Sequence, residues 1–185
     1  MDADVRADRF EELLDRQDIL DCLTRFTRGM DRFDRELLLS AFHPDAVIAA
    51  GDFVGGPVDL YKWASRMHEE GQSATLHNLL NHTCEIVGDT AHTETYYLFV
   101  ARNRDETNWV AGGRYIDRLE RRTGAWRIAV RTNTVEWSGM IPTMELPFAD
   151  VPDIHRNGAP SRDRSDPSYQ RPLVNWRSAH NPERP

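Results

Sequence analysis

The sequence predicts an α+β fold in which helices near the N-terminus cover one face of a curved antiparallel sheet. Apolar residues first recur with a helical period over about seventy residues, and from His77 onward the period drops to two, with tight turns between the runs. Composition agrees: 39% hydrophobic residues, 29% charged residues and five Trp describe a globular chain, and 185 residues suit one domain with a sizeable core.

The first element is a helix over 8–30. Leu13, Leu20, Leu23, Thr27 and Asp31 fall on one side, Phe26 and Met30 flank them, and Glu11, Glu12, Asp15, Arg16 and Asp18 occupy the early turns. Gly29 weakens the helix near its end. Asp34 can cap a second helix, 35–42, stopped by His43-Pro44. One or two short strands follow over 47–54, turning at Gly51-Asp52. Gly55-Gly56-Pro57 is a loop, and 58–70 is a third amphipathic helix (Leu60, Tyr61, Ala64, Met67) ended by Gly71. The strands are then 77–87, 90–104, 107–122 and 125–138, with turns at Gly88-Asp89 and Thr123-Gly124. Three helices followed by consecutive hairpins give the α+β reading.

The domain is therefore placed at 1–138 and an extended arm at 139–185. The arm holds eight of the ten prolines, which argues against regular structure there. Phe148, Ile154, Tyr169, Leu173 and Trp176 are too apolar for a free tail, so the arm is expected to pack on the domain, over a cavity mouth or around a neighbouring subunit.

A net charge of −7 disfavours nucleic acid and anionic membrane surfaces as partners. The N-terminus from Met1 and Asp2 to Arg6 is polar, with no apolar signal core after it, and no run approaches a ~20-residue membrane span. Cys22 and Cys84 read as buried thiols of a cytoplasmic protein rather than a disulfide. There is no His/Cys cluster with metal spacing, no phosphate loop around Gly55-Gly56 or Gly112-Gly113, and no nucleophile elbow. Neither a metal nor a cofactor is expected.

Two residues carry the chemical expectation. Asp31 lies one turn beyond Thr27 and two beyond Leu23, on the inward face of the first helix, where a carboxylate needs a partner. Asp34 and Asp45 fit a water-facing role better. His77 opens the first long strand, before Leu79-Leu80. A carboxylate that holds an imidazole fixes its tautomer and stabilises its cation, so the other ring nitrogen can act as a base. His82 and His92 are alternatives. Strand alternation puts His82 on the opposite face from His77 unless a bulge intervenes. His43, His68, His155 and His180 read as loop or polar-surface residues. Arg131, on the last strand, alternates with Trp126 and Ile128 onto the other face. Facing a cavity it could hold an anion, and facing water it would be an ordinary strand arginine.

Over about 8–138, by the order and spacing of such motifs, the chain resembles the SnoaL-like group of the nuclear transport factor 2-like superfamily. The resemblance rests on Arg16-Gln17-Asp18-Ile19, Gly29-Met30-Asp31, Phe42-His43-Pro44-Asp45-Ala46, His77 with Asn81 and Glu85, Gly88-Asp89-Thr90-Ala91, and Gly124-Ala125-Trp126-Arg127-Ile128. It implies a cone-shaped α+β barrel around a deep apolar pocket. The group holds scytalone dehydratase, hexachlorocyclohexane dehydrochlorinase and bile-acid 7α-dehydratase. In these lyases an aspartate ending the first helix and a histidine starting the long strand form the catalytic dyad, matching Asp31 and His77. The dehydrochlorinase adds an arginine on the last strand, matching Arg131. Five residues before the aspartate such lyases tend to carry a tyrosine or lysine that helps the leaving group. This chain has Phe26, which has no proton to give.

The resemblance thus implies a cofactor-independent dehydratase or dehydrohalogenase acting on an apolar cyclic small molecule. His77, Asp31 and Arg131 would be catalytic, and Phe26, Tyr61, Trp109 and Asn133 would contact substrate. Tyr61, Tyr96, Tyr97, Tyr115 and Trp109 are candidates for the missing acid. An isomerase or cyclase using the same dyad, and a non-catalytic binding or assembly module, are the alternatives. Related lyases are often trimers, so a homo-oligomer is expected, with a trimer favoured over a dimer.

Overall fold

The computed structural model describes residues 3–145 and 147–179. Met1, Asp2 and His180 lie outside the described residues. Helix α1 spans Ala3–Asp31, α2 Arg35–Ser40 and α3 Pro57–Gly71. The strands are β1 (Phe42–Ala50), β2 (Phe53–Gly55), β3 (Gln72–Val87), β4 (Thr90–Asn103), β5 (Asn108–Arg122) and β6 (Ala125–Ile141). They form one curved sheet in the order β2-β1-β6-β5-β4-β3, so β2 and β3 are its edges and it does not close into a barrel.

The sheet is mixed rather than wholly antiparallel, because β1 runs parallel to β6. The physical reason is connectivity. Hairpins force antiparallel neighbours from β3 to β6, whereas no turn joins β6 to β1 and nothing local dictates their sense. Strand β3 begins five residues before the expected start, continuing directly from α3, and β6 runs three residues past the expected end. Helix α1 packs against β3 and β6, and α3 against β1 and β3.

The buried stripe of α1 is Ile19, Cys22, Leu23, Phe26 and Met30. Leu13, expected on that stripe, is 62% exposed, as are its neighbours Phe10 and Leu14; the bonds of α1 to the sheet start at Asp15 and Arg16, which meet Trp126 and the Cys84 carbonyl. Gly29 lets α2 close on α1: a Cβ there would lie 2.5 Å from the backbone nitrogen of Leu38. Asp34 caps α2 by accepting from the Leu37 N–H (3.2 Å). Asp34 is nevertheless buried, because Tyr169 and Arg164 of the arm cover its carboxylate. Asp45 does face solvent, paired with Arg122. Cys22 is buried, Cys84 is only half-buried, and both are free thiols.

Two one-residue bulges control which side chains face inward. In β3, pairing with β4 slips between Leu79 and His82, so His77, Leu79 and His82 all turn toward the helices. In β6, Leu119 pairs with Ile128 and Arg118 with Val130, which leaves Ala129 as the extra residue. Beyond it Arg131 shares the inner face with Trp126 and Ile128, contrary to simple alternation.

The described part of the arm has one 3-10 turn, Pro167–Tyr169, and lies across the helices of its own chain. Arg28 donates to Ser168 Oγ (3.2 Å), Arg32 to the Ser161 carbonyl (2.9 Å) and Tyr169 to Asp34 (2.9 Å). Arg162 donates to the carbonyl of His68 in the last turn of α3 (2.9 Å).

Candidate active site

Between the inner face of the sheet and helices α1 and α3 lies a cavity of about 320 Å3. Its wall is mostly apolar: Phe26 and Met30 come from α1, Trp63 and Met67 from α3, Phe99 from β4 and Trp109 from β5. No described residue of the arm lines it.

Asp31 and His77 meet at this cavity. Asp31 sits in the final turn of α1, on the buried side established by Phe26, Thr27 and Met30. Its Oδ1 accepts from His77 Nδ1 (2.6 Å) and its Oδ2 from the His77 backbone N–H (2.9 Å). Both oxygens are thus used on one residue, which fixes the ring's position and its tautomer. Nδ1 carries the proton in the neutral ring, and Nε2 keeps its lone pair. The side chains are 9% and 10% exposed, and Phe99 stands 4.7 Å from the His77 ring centroid to centroid. An ion pair formed here on protonation of His77 would be poorly screened by water.

Arg131 also lines the cavity, but most of its guanidinium is already engaged. Nε and Nη2 donate to the two oxygens of Asp117, both at 2.7 Å. Phe26 and Tyr115 sandwich the group, each with its ring centre 4.2 Å away. Burial opposes the charge, yet Asp117 more than offsets this, so the guanidinium sits above its usual pKa. Only Nη1 is left, buried and without a partner among the described residues. Being buried, that nitrogen has no surface open to a ligand, so what Arg131 presents to the cavity is its charge.

Phe26, Trp109 and Asn133 are in the cavity wall as expected. Tyr61 is not. Leu60, Trp63, Ala64, Met67 and His68 line the cavity from α3, whereas Tyr61 is held toward the turn between α1 and α2. Its hydroxyl donates to the Phe33 carbonyl (2.7 Å). Tyr96 is exposed on the outer face of the sheet and is no candidate acid. Tyr97 and Tyr115 are stacked in the wall, and burial pushes both phenols up, so they keep their protons.

His68 is the residue the sequence reading missed. It is buried and lines the cavity, its ring 5.8 Å from that of His77. Burial, with help from His77, pushes its pKa down to about 4, so it is neutral at ordinary pH. The signal was in the sequence: Leu60, Ala64 and His68 repeat every fourth residue along the apolar face of α3. His43 is likewise buried, bonded to the Glu120 carbonyl (2.9 Å), because the segment expected to end a helix is instead the start of β1.

A SnoaL-like domain model matches residues 11–132. The chain belongs to the SnoaL-like family. Solved structures place this SnoaL-like chain in the same fold. A type 2 hexachlorocyclohexane dehydrochlorinase (LinA) is 18% identical with a TM-score of 0.68, covering 75% of this chain and 96% of the other. A putative scytalone dehydratase from Novosphingobium aromaticivorans is 19% identical with a TM-score of 0.63, covering 72% and 91%. A protein of unknown function from Mycobacterium tuberculosis is 21% identical with a TM-score of 0.61, covering 68% and 74%. No curated protein matches the sequence. At these identities the likeness is one of fold. Among the described residues no helix is long and apolar enough to cross a membrane.

Proposed function

We propose that this SnoaL-like protein is a cofactor-independent lyase, a dehydratase or dehydrohalogenase that acts on an apolar cyclic small molecule. The observation that carries the reading is the clamped Asp31–His77 pair at an apolar cavity. A ligand filling about 320 Å3 at the packing density of a protein interior has on the order of a dozen non-hydrogen atoms, the size of one or two rings.

In the proposed reaction His77 Nε2 takes a proton from a ring carbon. The electrons of that C–H bond form the C=C bond, and the bond to the neighbouring leaving group breaks. Asp31 stabilises the imidazolium. Arg131 contributes the fixed positive charge of its buried guanidinium, which favours negative charge developing on a departing group or on a carbonyl oxygen. Phe26 supplies no acid, but the imidazolium holds the proton that a departing hydroxide needs. One residue could then act as base and acid on the same face of the ring, and water leaves.

The lack of an acid at Phe26 also favours a second reading, an isomerase or cyclase in which the imidazolium returns its proton to another carbon. Product mass separates the two, since elimination lowers it by water or a hydrogen halide and isomerisation leaves it unchanged. The test is turnover of a panel of cyclic alcohols and halides followed by mass spectrometry, with His77→Ala as control. That variant should lose roughly 10²–10⁴-fold in rate while remaining folded. Full activity in His77→Ala would end the proposal. We further propose that the protein assembles as a homo-oligomer, a trimer before a dimer, which light scattering on the full chain would test.

A further inference from the structure

We propose that His68 is a substrate-binding residue, an obligate hydrogen-bond acceptor that receives a hydroxyl proton of the substrate beside the carbon attacked by His77. The cavity would then take a hydroxylated ring rather than a donor-free halocarbon. The inference deepens the proton-transfer reading and rests on it only for the role of His77.

One hydrogen-bond chain fixes the tautomer of His68. Asp105, in the β4–β5 turn, is a carboxylate held below its usual pKa by bonds from Thr107, so it can only accept. The Thr107 hydroxyl therefore donates to it (2.6 Å) and is left to accept from Asn103 Nδ2 (2.9 Å). That sets the Asn103 amide, whose Oδ1 accepts from Gln72 Nε2 at 3.4 Å, the longest link. Gln72 in turn presents Oε1 to His68 Nδ1 at 3.0 Å. An amide oxygen cannot donate, so Nδ1 must carry the proton and Nε2 must carry the lone pair. Each step follows from the one before, and the chain ends on a fixed anion.

The ring of His68 makes its one hydrogen bond among the described residues through Nδ1, which leaves Nε2 without a partner, and the ring lines the cavity. His77 is oriented in the same sense by Asp31. Two imidazoles with rings 5.8 Å apart thus offer lone pairs and no N–H. Against an apolar wall, such a pair is matched by a ligand with a donor close to an acidic C–H. A hydroxyl on the carbon next to that C–H, or one further along, fits the ring spacing. An acceptor does nothing for a departing hydroxide, so the hydroxyl held by His68 is retained and the leaving group is a different substituent. A polyhalogenated ring without donors would leave the His68 lone pair buried and unmatched, a cost of the kind that rejects ligands.

The test uses the full-length protein and two shape-matched bicyclic probes, 2-naphthol and 2-methylnaphthalene, with affinities from calorimetry. The preference for the hydroxyl probe in the wild type should fall by roughly fivefold in His68→Phe, the worth of one neutral hydrogen bond. An unchanged preference in His68→Phe overturns the proposal. So does a preference that disappears in His77→Phe but survives in His68→Phe, because His77 is then the reader. A measurement on the wild type guards against a misfolded variant. Long-range 15N–1H correlation spectra at neutral pH should show His68 with a protonated Nδ1 and a bare Nε2, and the opposite tautomer refutes the chain argument. The same binding assay in Asp31→Asn separates this proposal from the catalytic one, since the share of the preference due to His68 persists there even if that protein, or the wild type, turns nothing over.

Discussion

Replacing Asp31 by Asn sets two bonds against each other. The native carboxylate accepts twice from His77, at Nδ1 (2.6 Å) and at the backbone N–H (2.9 Å). An amide has one oxygen and one NH2. If the oxygen stays on the backbone N–H, the NH2 faces Nδ1, which must then accept, and the proton moves to Nε2. The base is lost although the geometry survives. If the oxygen stays on Nδ1, the NH2 is pressed against the buried backbone N–H, two donors without an acceptor. The first arrangement loses one charge-assisted bond, worth about 1.5–3 kcal/mol, while the second adds the cost of an unsatisfied buried donor. The first should therefore prevail. The expected result is an inverted His77 tautomer, a rate loss on the order of 10⁴-fold, the scale seen when an orienting aspartate is lost elsewhere, and a melting temperature lowered by about 3–10 °C for a domain of this size. Nitrogen-15 spectra of His77 read the tautomer without needing a substrate. An Asp31→Asn protein whose His77 keeps its proton on Nδ1 and a bare Nε2 would refute the reasoning.

Other perturbations follow from the same geometry. His68 has a folded pKa of about 4 against 6.5 ordinarily, so the unfolded chain binds a proton that the fold refuses. Stability should therefore fall as pH drops through that window, by up to about 3 kcal/mol, and urea titrations should show this component missing in His68→Phe. Asp117→Asn strands the buried Arg131 charge and should cost ~3–5 kcal/mol in the same assay, whereas Asp117→Leu combined with Arg131→Met should recover much of it. Gly29→Ala gains helix propensity but drives a methyl into the backbone of α2, so it should destabilise by more than ~1 kcal/mol; a gain in stability would show that α2 can yield.

Much of this architecture is legible in the sequence because it is encoded locally. Gly88-Asp89 and Thr123-Gly124 turn the chain where their dipeptides say they should, and the inner positions of β4 alternate without interruption. Asp31 was found by helical spacing from Leu23 and Thr27, and its meeting with His77 agrees with the family likeness. What was not legible depends on pairing between distant segments. Nothing near Ala129 or in the Leu80-Asn81 stretch announces an extra residue, yet those two bulges decide that Arg131 and His82 face inward. The parallel partner of β1 lies about eighty residues away along the chain, and no turn reports it. Tyr61 failed for a different reason. Tyr61 and His68 lie seven residues apart, within about 20° on the helix, so the period does not separate them; the bond from the Tyr61 hydroxyl to the Phe33 carbonyl at the end of α1 draws that ring away from the cavity.

The arm's contacts also bear on the order in which the molecule can be finished during synthesis. The bonds from Tyr169 to Asp34 and from Arg28 to Ser168 join residues 135 and 140 positions apart, whereas Asp31 and His77 are separated by 46. A ribosome releasing the chain from its N-terminus presents Asp31 and His77 early, the closing strand β6 later, and the arm after it. The end of α1 and the last turn of α3, the segments that carry Asp31 and His68, receive their outer support only after the sheet is complete. A nascent chain halted after Ile141 would hold every residue of the cavity wall but none of the arm that braces it.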